Sequence, residues 1–437
     1  MPIKLNISGI RGKYSEFTPH WIARLVSAYV SRMEPGTFIL ARDKRPSGPF
    51  IRHASLTGFL SAGAHVRDAG ILPTPILQWL IPHLQLRGGL SITAGHNPFE
   101  WNAMIFLNRE GAYLNHFEGE EFFSLFHSGN PHLQPYDTQG HVIEETTSLT
   151  PYFKTLALPD SEKTEQKFVI DCVNGFDTGL ILQLQQALKV HIIPLFSSPQ
   201  ESSIQRDPEP TTANAAFLST VVRETKSQGG FLLNSDASRV LMVDERGIPY
   251  CEEVTFPLFS RLMLETVHSD LVTNYSTSKL IDDVARQYSV KVHRTDIGQS
   301  EVVHRAKELG CTLAGEGSGS TLFSPFSAGF DAFYTIRTVI DYLLKSHLSL
   351  SDLLSDFPLK PIYKESFFLE PRVIYETLER IGKSFPSSLR LKDGYYIDEG
   401  DAWICIRASA TVNMIRVFAE GARMKPFLEK IKAMIRW

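Results

Sequence analysis

The most constraining feature of this chain is an alternation that runs through its first 350 residues or so: short apolar runs read as buried strands, separated by segments of helical period. The strand-like runs include 37–41, 90–94, 168–172, 230–233 and 271–274. Helical period marks 18–33, 50–64, 211–227, 278–288 and 300–309. Such a pattern predicts α/β layers rather than an all-α or all-β chain. Turn and polar residues gather near 131–151, 246–253 and 346–361, which divides the chain into units 1–148, 149–250, 251–358 and 359–437. The last unit carries its own strand and helix signals and suits a small α+β domain.

Composition narrows the function classes. With 437 residues, 43% of them hydrophobic, the chain can bury several cores. A net charge of -4 provides no basic field for nucleic acid or an anionic membrane, so an anionic ligand must be held by local cations. Cys172, Cys251, Cys311 and Cys405 are scattered without a CxxC pair and read as free thiols. No apolar run reaches the ~18 residues of a membrane span, and the first residues lack a secretory apolar core, so a cytoplasmic protein is expected.

Five segments carry candidate chemistry. Residues 89–98 (GLSITAGHNP) form an apolar strand ending in a turn, a common ligand-facing position in an open α/β sheet. Residues 231–244 (FLLNSDASRVLMVD) place the oxygen side chains of Asn234, Asp236 and Ser238 at alternate positions, where they could converge on a hard cation such as Mg²⁺, although only Asp236 is charged. Residues 314–320 (AGEGSGS) combine glycine freedom with Glu316, Ser318 and Ser320, which suit sugar hydroxyls. Arg407, Ser409 and Thr411 alternate after a strand and make a phosphate clamp, and Arg11 sits on a glycine-flanked loop.

In this order and at these separations, the five segments resemble the α-D-phosphohexomutase family, as do 41–47 (ARDKRPS), 72–75 (LPTP) and 169–175 (VIDCVNG). The resemblance implies three similar α/β/α domains, then a smaller α+β C-terminal domain, around a central cleft. In that family a phosphoserine in a TASHNP-like loop gives its phosphoryl group to one end of a sugar phosphate and takes one back from the other. Here Gly95 stands at the serine position and His96 follows it. The family's Mg²⁺ loop reads DxDxDR, against Asn234, Asp236, Ser238 and Arg239, so Mg²⁺ is expected to bind weakly. Ile105 stands at the position of an assisting lysine, with Asn102 kept and Ala103 replacing a glycine, and Ser320 replaces a histidine.

Nucleophile, metal ligands and acid/base group are thus altered together, whereas Arg11, Arg239, Glu316, Ser318, Arg407, Ser409 and Thr411 match the family's binding positions. Val412 and Asn413 depart from its usual Glu-Pro. The resulting expectation is a homologue impaired as a mutase that binds a hexose phosphate, or glucose 1,6-bisphosphate, in a regulatory or scaffold role that admits a protein partner. The alternative is an active phosphotransferase that uses His96 or Thr93 as an unusual phosphoryl carrier, or relays from a bound bisphosphate.

Overall fold

The computed structural model describes residues 3, 5–129, 133–143, 148–158, 164–198, 206–400, 402–409, 413–421 and 423–435. Four sheets follow one another along the chain. The first contains β1 (Ile10–Lys13), β2 (Thr37–Arg42), β3 (His65–Ile71), β4 (Gly88–Ile92), β5 (Trp101–Leu107) and β6 (Val142–Ile143), in the order β1-β5-β4-β2-β3-β6. The second contains β7 (Lys167–Asp171), β8 (His191–Leu195), β9 (Gly229–Leu233) and β10 (Val240–Asp244), in the order β10-β9-β7-β8. The third, with β11 (Leu271–Asn274), β12 (Val292–Thr295), β13 (Leu313–Glu316) and β14 (Ser320–Phe323), runs β12-β11-β13-β14.

A single plan underlies all three. Two strands pair in parallel, a third joins the first of them, also in parallel, and a fourth folds back antiparallel onto the third. In consequence β4–β5, β9–β10 and β13–β14 are equivalent hairpins, and their tips, 93–100, 234–239 and 317–319, are the segments singled out as candidate chemistry. The fourth sheet is wholly antiparallel: β15 (Ile362–Phe368), β16 (Leu389–Leu391), β17 (Gly394–Asp398), β18 (Trp403–Ala408) and β19 (Met414–Glu420), ordered β15-β19-β18-β17-β16. Its β18–β19 hairpin carries Arg407 and Ser409. The α/β/α domains and the smaller α+β domain agree with the expectation.

The apolar periods have the predicted effect. Pro19–Met33 buries Ile22, Leu25, Val26, Tyr29 and Val30 on one face, its first turn capped by the Thr18 hydroxyl, which accepts from Trp21 N. The segment expected as one helix over 211–227 instead opens as a 3₁₀ turn, Thr212–Ala215, before the helix Ala216–Thr225. Asn214 donates its side-chain amide to Glu209 O at 2.8 Å, a local bond that competes with regular helix at this end.

The domains are joined tightly at the hairpin tips. Gly319 lies at φ +84, where a Cβ would stand 2.5 Å from Val240 O, and Val240 N donates to Gly319 O at 3.0 Å. No side chain fits that junction of the second and third domains. The fourth domain docks on the third through Glu420, 2% exposed, which accepts from Ser278 Oγ (2.6 Å), Lys279 N (2.8 Å) and Trp403 Nε1 (2.6 Å). No helix among the described residues is long and apolar enough to cross a membrane.

Candidate functional site

The 93–100 tip is fixed from below by Arg45. This buried guanidinium donates to the carbonyls of Gly95 (3.0 Å), Asn97 (2.8 Å), Pro98 (2.8 Å) and Trp101 (3.2 Å), and pairs with Asp43 at 3.0 Å. Asp43 also accepts from Thr93 Oγ1 at 2.7 Å, and Ser235 of the next domain lies within hydrogen-bond reach of both Asp43 Oδ2 (2.9 Å) and Gly95 O (2.8 Å). Five carbonyl or carboxylate groups held this way leave the tip little freedom, so the site of residue 95 is well defined. Gly95 has φ +57, and a Cβ there would lie 3.2 Å from Asp236 Oδ2 and 3.5 Å from Asn234 Nδ2. The first tip therefore faces the second, at the point where Gly95 offers no side-chain oxygen.

The 234–239 tip closes on itself. Asn234 Oδ1 accepts from the backbone N–H groups of Ser238 (3.0 Å) and Arg239 (3.1 Å), which fixes the orientation of the amide. Its Nδ2 then donates to Ser238 Oγ (3.1 Å), which donates to Asp236 Oδ1 (2.7 Å). The three residues predicted as weak metal ligands form one chain of hydrogen bonds, with an N–H₂ group facing inward. Among the described residues, no group of three or more His, Cys, Asp or Glu side chains is arranged to hold a metal.

Ile105 is buried on β5 opposite Ser91, its Cγ1 within 3.3 Å of the point where a Cβ on Gly9 would be. Its side chain belongs to the core, not to the cleft. Thr93, also buried, has its hydroxyl committed to Asp43. His96 is different: it borders the cleft, and burial together with Arg239, Arg11, Arg416 and Arg45 holds its pKa well below the ordinary imidazole range, so it is neutral.

Across the cleft, Asn274 donates to Glu316 Oε1 at 2.9 Å and Ser318 Oγ lies 3.4 Å from Glu316 Oε2. Burial raises the pKa of Glu316 against the opposing pull of Arg239 and these hydrogen bonds. Ser320 does not line the cleft; it is fully buried on β14 opposite Glu316 in the β13–β14 ladder, its Oγ 3.3 Å from Ser318 Oγ. On β18, Arg407 pairs with Asp393 at 2.7 Å. Thr411 and Val412 lie outside the described residues.

A cavity of about 220 Å³ gathers these groups from all four domains: Arg11 and His96, Arg239, Glu316 with Ser318, and Arg407 with Ser409. Three of its walls escaped the sequence reading. Arg416 stands directly opposite Arg407 in the β18–β19 ladder. Like charges in register are unfavourable unless something anionic answers them, so the register of this hairpin was the available signal. Lys364 of β15 reaches Glu252 (2.7 Å), Glu253 (2.8 Å) and Gly317 O (3.2 Å). Burial works against its charge, but Glu253 and Glu252 keep the ammonium above its ordinary range. Asn274, the third, orients Glu316 as described.

Arg239 and Arg416 stand close enough to Arg11 to depress it, and Arg407 and Arg239 do the same to Arg416. Burial, then Arg239 and Arg416, lowers the pKa of Arg11; burial, then Arg407 and Arg239, lowers that of Arg416. Among the described residues, the Nε atoms of Arg239 and Arg416 are buried without a hydrogen-bond partner, and Arg239 has an ion pair with the exposed Glu209 at 4.0 Å. A crowded set of guanidinium groups with unmet donors has the chemistry to hold an oxyanion.

Models of the phosphoglucomutase/phosphomannomutase α/β/α domains I, II and III match residues 2–127, 137–247 and 254–360. The chain is 28% identical over 426 residues to a phosphoglucomutase/phosphomannomutase of Thermococcus kodakarensis, covering 94% of this chain and 93% of that one. Its fold is similar to that of a phosphoglucomutase/phosphomannomutase family protein from Burkholderia thailandensis (TM-score 0.83, 21% identity, 99% and 95% of the two chains). It is also similar to a serine-to-alanine variant of N-acetylphosphoglucosamine mutase from Aspergillus fumigatus in complex with glucose 1,6-bisphosphate (TM-score 0.61, 13% identity, 100% and 95% covered). Three domain matches in the family's order, four sheets of the corresponding architecture and a cleft lined from every domain lead to one conclusion: this chain belongs to the α-D-phosphohexomutase family.

Proposed function

We propose that this chain binds a hexose phosphate in the central cleft and does not move its phosphoryl group, serving as a sensor or scaffold whose occupied state is read by a partner protein. The observation that carries this reading is Gly95, at a rigidly held point facing Asp236, where phosphoryl transfer through the protein needs an oxygen that glycine lacks. Ile105 in the core adds the loss of a proton-transfer group, typically worth roughly 10²- to 10⁴-fold in rate. Binding groups support the other half: Arg407 and Arg416 for a phosphate, Glu316 and Ser318 for sugar hydroxyls. The division into units 1–148, 149–250, 251–358 and 359–437 belongs to the same reading, each unit supplying one wall.

Titration calorimetry with glucose 1-phosphate and glucose 6-phosphate tests the binding half, and a coupled assay of their interconversion tests the other. Saturable binding that weakens in Arg407→Ala, without interconversion, is the expected result. Mg²⁺-dependent interconversion, or no binding of either sugar phosphate, would refute the reading.

A second reading rests on the neutral imidazole of His96. Its ring nitrogen would bond to phosphorus as the sugar oxygen–phosphorus bond breaks, the departing oxygen taking a proton from solvent. Acid-labile, alkali-stable label on the protein, abolished in His96→Ala, identifies that route.

A further inference from the structure

We propose that Lys364 is a positioning residue that ties the Glu316–Ser318 loop to the fourth domain. It holds the backbone of Gly317, so that Glu316 and Ser318 are set for a sugar only while the sheet carrying Arg407 and Arg416 is docked. This inference rests on the proposed hexose phosphate binding and names the contact that makes the two halves of the site act together.

Hydrogen-bond capacity is the first ground. The ammonium group of Lys364 donates to Glu252 Oε1 at 2.7 Å and to Gly317 O at 3.2 Å, and it pairs with Glu253 Oε1 at 2.8 Å. An ammonium group has three hydrogens, and these three acceptors take them all. None is left over for a phosphate oxygen. Lys364 borders the cavity, yet its donors are spent on the protein, in contrast to the unmet Nε atoms of Arg239 and Arg416.

The setting of Gly317 is the second ground. Glu253 is buried directly against it: a Cβ at residue 317 would stand 1.9 Å from Glu253 Oε2. The Gly317 carbonyl and two carboxylates thus converge on one point. All three are acceptors, which repel one another unless a cation stands between them. On its other side the loop is braced by the turn that follows β11. Gly317 N donates to Thr277 Oγ1 (3.0 Å), Asn274 Nδ2 to Glu316 Oε1 (2.9 Å), and Ser278 N to Glu253 Oε2 (3.0 Å). Gly317 is therefore held through its N–H by the third domain and through its C=O by the fourth.

The third ground is where these contacts sit on the fourth sheet. Lys364 on β15 stands opposite Phe418 on β19, two residues from Arg416, which in turn faces Arg407 on β18. Glu420, on the same β19, accepts from Ser278 Oγ and Lys279 N at the end of the bracing turn. One sheet thus carries both arginines of the phosphate end and both contacts that fix the loop meant for the sugar. A shift of that sheet moves the two together.

Calorimetry with glucose 6-phosphate and with inorganic phosphate tests the inference through the ratio of the two affinities. Lys364→Met should lower that ratio on the order of tenfold, the worth of one hydrogen bond from a charged group. Lys364→Arg, which keeps the charge and the donors, should recover most of it. Lys364→Gln serves the same comparison if the methionine variant does not fold, as its melting temperature will show. Hydrogen exchange in the absence of ligand gives a second readout: the amides of Gly317 and Ser318 should exchange faster in Lys364→Met. An equal loss for both ligands would make Lys364 a direct phosphate contact and overturn the inference, as would an unchanged ratio or unchanged exchange at 317 and 318. No glucose 6-phosphate binding to the unaltered protein would overturn the proposed function instead, and the exchange comparison would still decide whether Lys364 holds the loop.

Discussion

The two sides of the cleft have diverged. On the side of the first and second domains, Gly95 and Ile105 carry no reactive group and Asn234 and Ser238 spend their hydrogen bonds on each other, on Asp236 and on the backbone. On the side of the third and fourth, Glu316, Arg407, Arg416 and Lys364 keep their charges pointed at or around the cavity. Both sides are equally well built: the reactive side is fastened by Arg45 and Asp43, the binding side by Glu420. Order in the scaffold therefore says nothing about turnover. The distinction lies in which atoms the scaffold presents.

The comparison is broken most forcefully by undocking the binding side. Glu420→Ala would leave the neutral donors of Ser278, Lys279 and Trp403 without their acceptor and should destabilise the fold by about 1 to 3 kcal/mol for each donor left unmet, measured by denaturant unfolding. Hexose phosphate affinity should fall with it. Arg416→Ala removes one charged partner from the phosphate end and should weaken binding roughly tenfold or more, read by calorimetry. It should also lower the salt dependence of binding.

Gly95→Ser probes the reactive side. Residue 95 sits at φ +57, so serine there should destabilise by about 1 to 2 kcal/mol. Mutase activity should not return, because Ile105 and Asn234 remain as they are. A thermal melt and the coupled assay check the two outcomes.

The smallest effect concerns pH. Burial raises the Glu253 carboxyl to about 6 despite Lys364, so its buried site favours the protonated form. The stabilisation this provides is complete below the unfolded value, near 4.5, and is lost as pH rises through about 6. Glu253→Gln should flatten the pH dependence of the melting temperature across that window, whereas an unchanged profile would assign the dependence to other groups.

Much of this architecture was legible in the sequence because strands buried on both faces read as continuous apolar runs and hairpin tips read as breaks between them. The tip at 93–100 was marked by Gly95 and the Asn97-Pro98 turn, that at 234–239 by Asn, Asp and Ser, and that at 317–319 by Gly and Ser. Orientation was not legible. That Asn234 turns its amide inward depends on two backbone donors, and that Ser320 faces the core depends on the β13–β14 register. Arg416 and Lys364 lay in ordinary strand sequence and became part of the site only when the fourth sheet docked across the third. Contacts made between domains leave no local pattern for a linear reading to find.

The central claim, that phosphosugar is held without passing its phosphoryl group to the protein, is tested most directly with ³²P-labelled glucose 1,6-bisphosphate in the presence of Mg²⁺. After denaturing and desalting the mixture under neutral and alkaline conditions, all label should remain with the sugar. Label retained on the denatured chain would contradict the account.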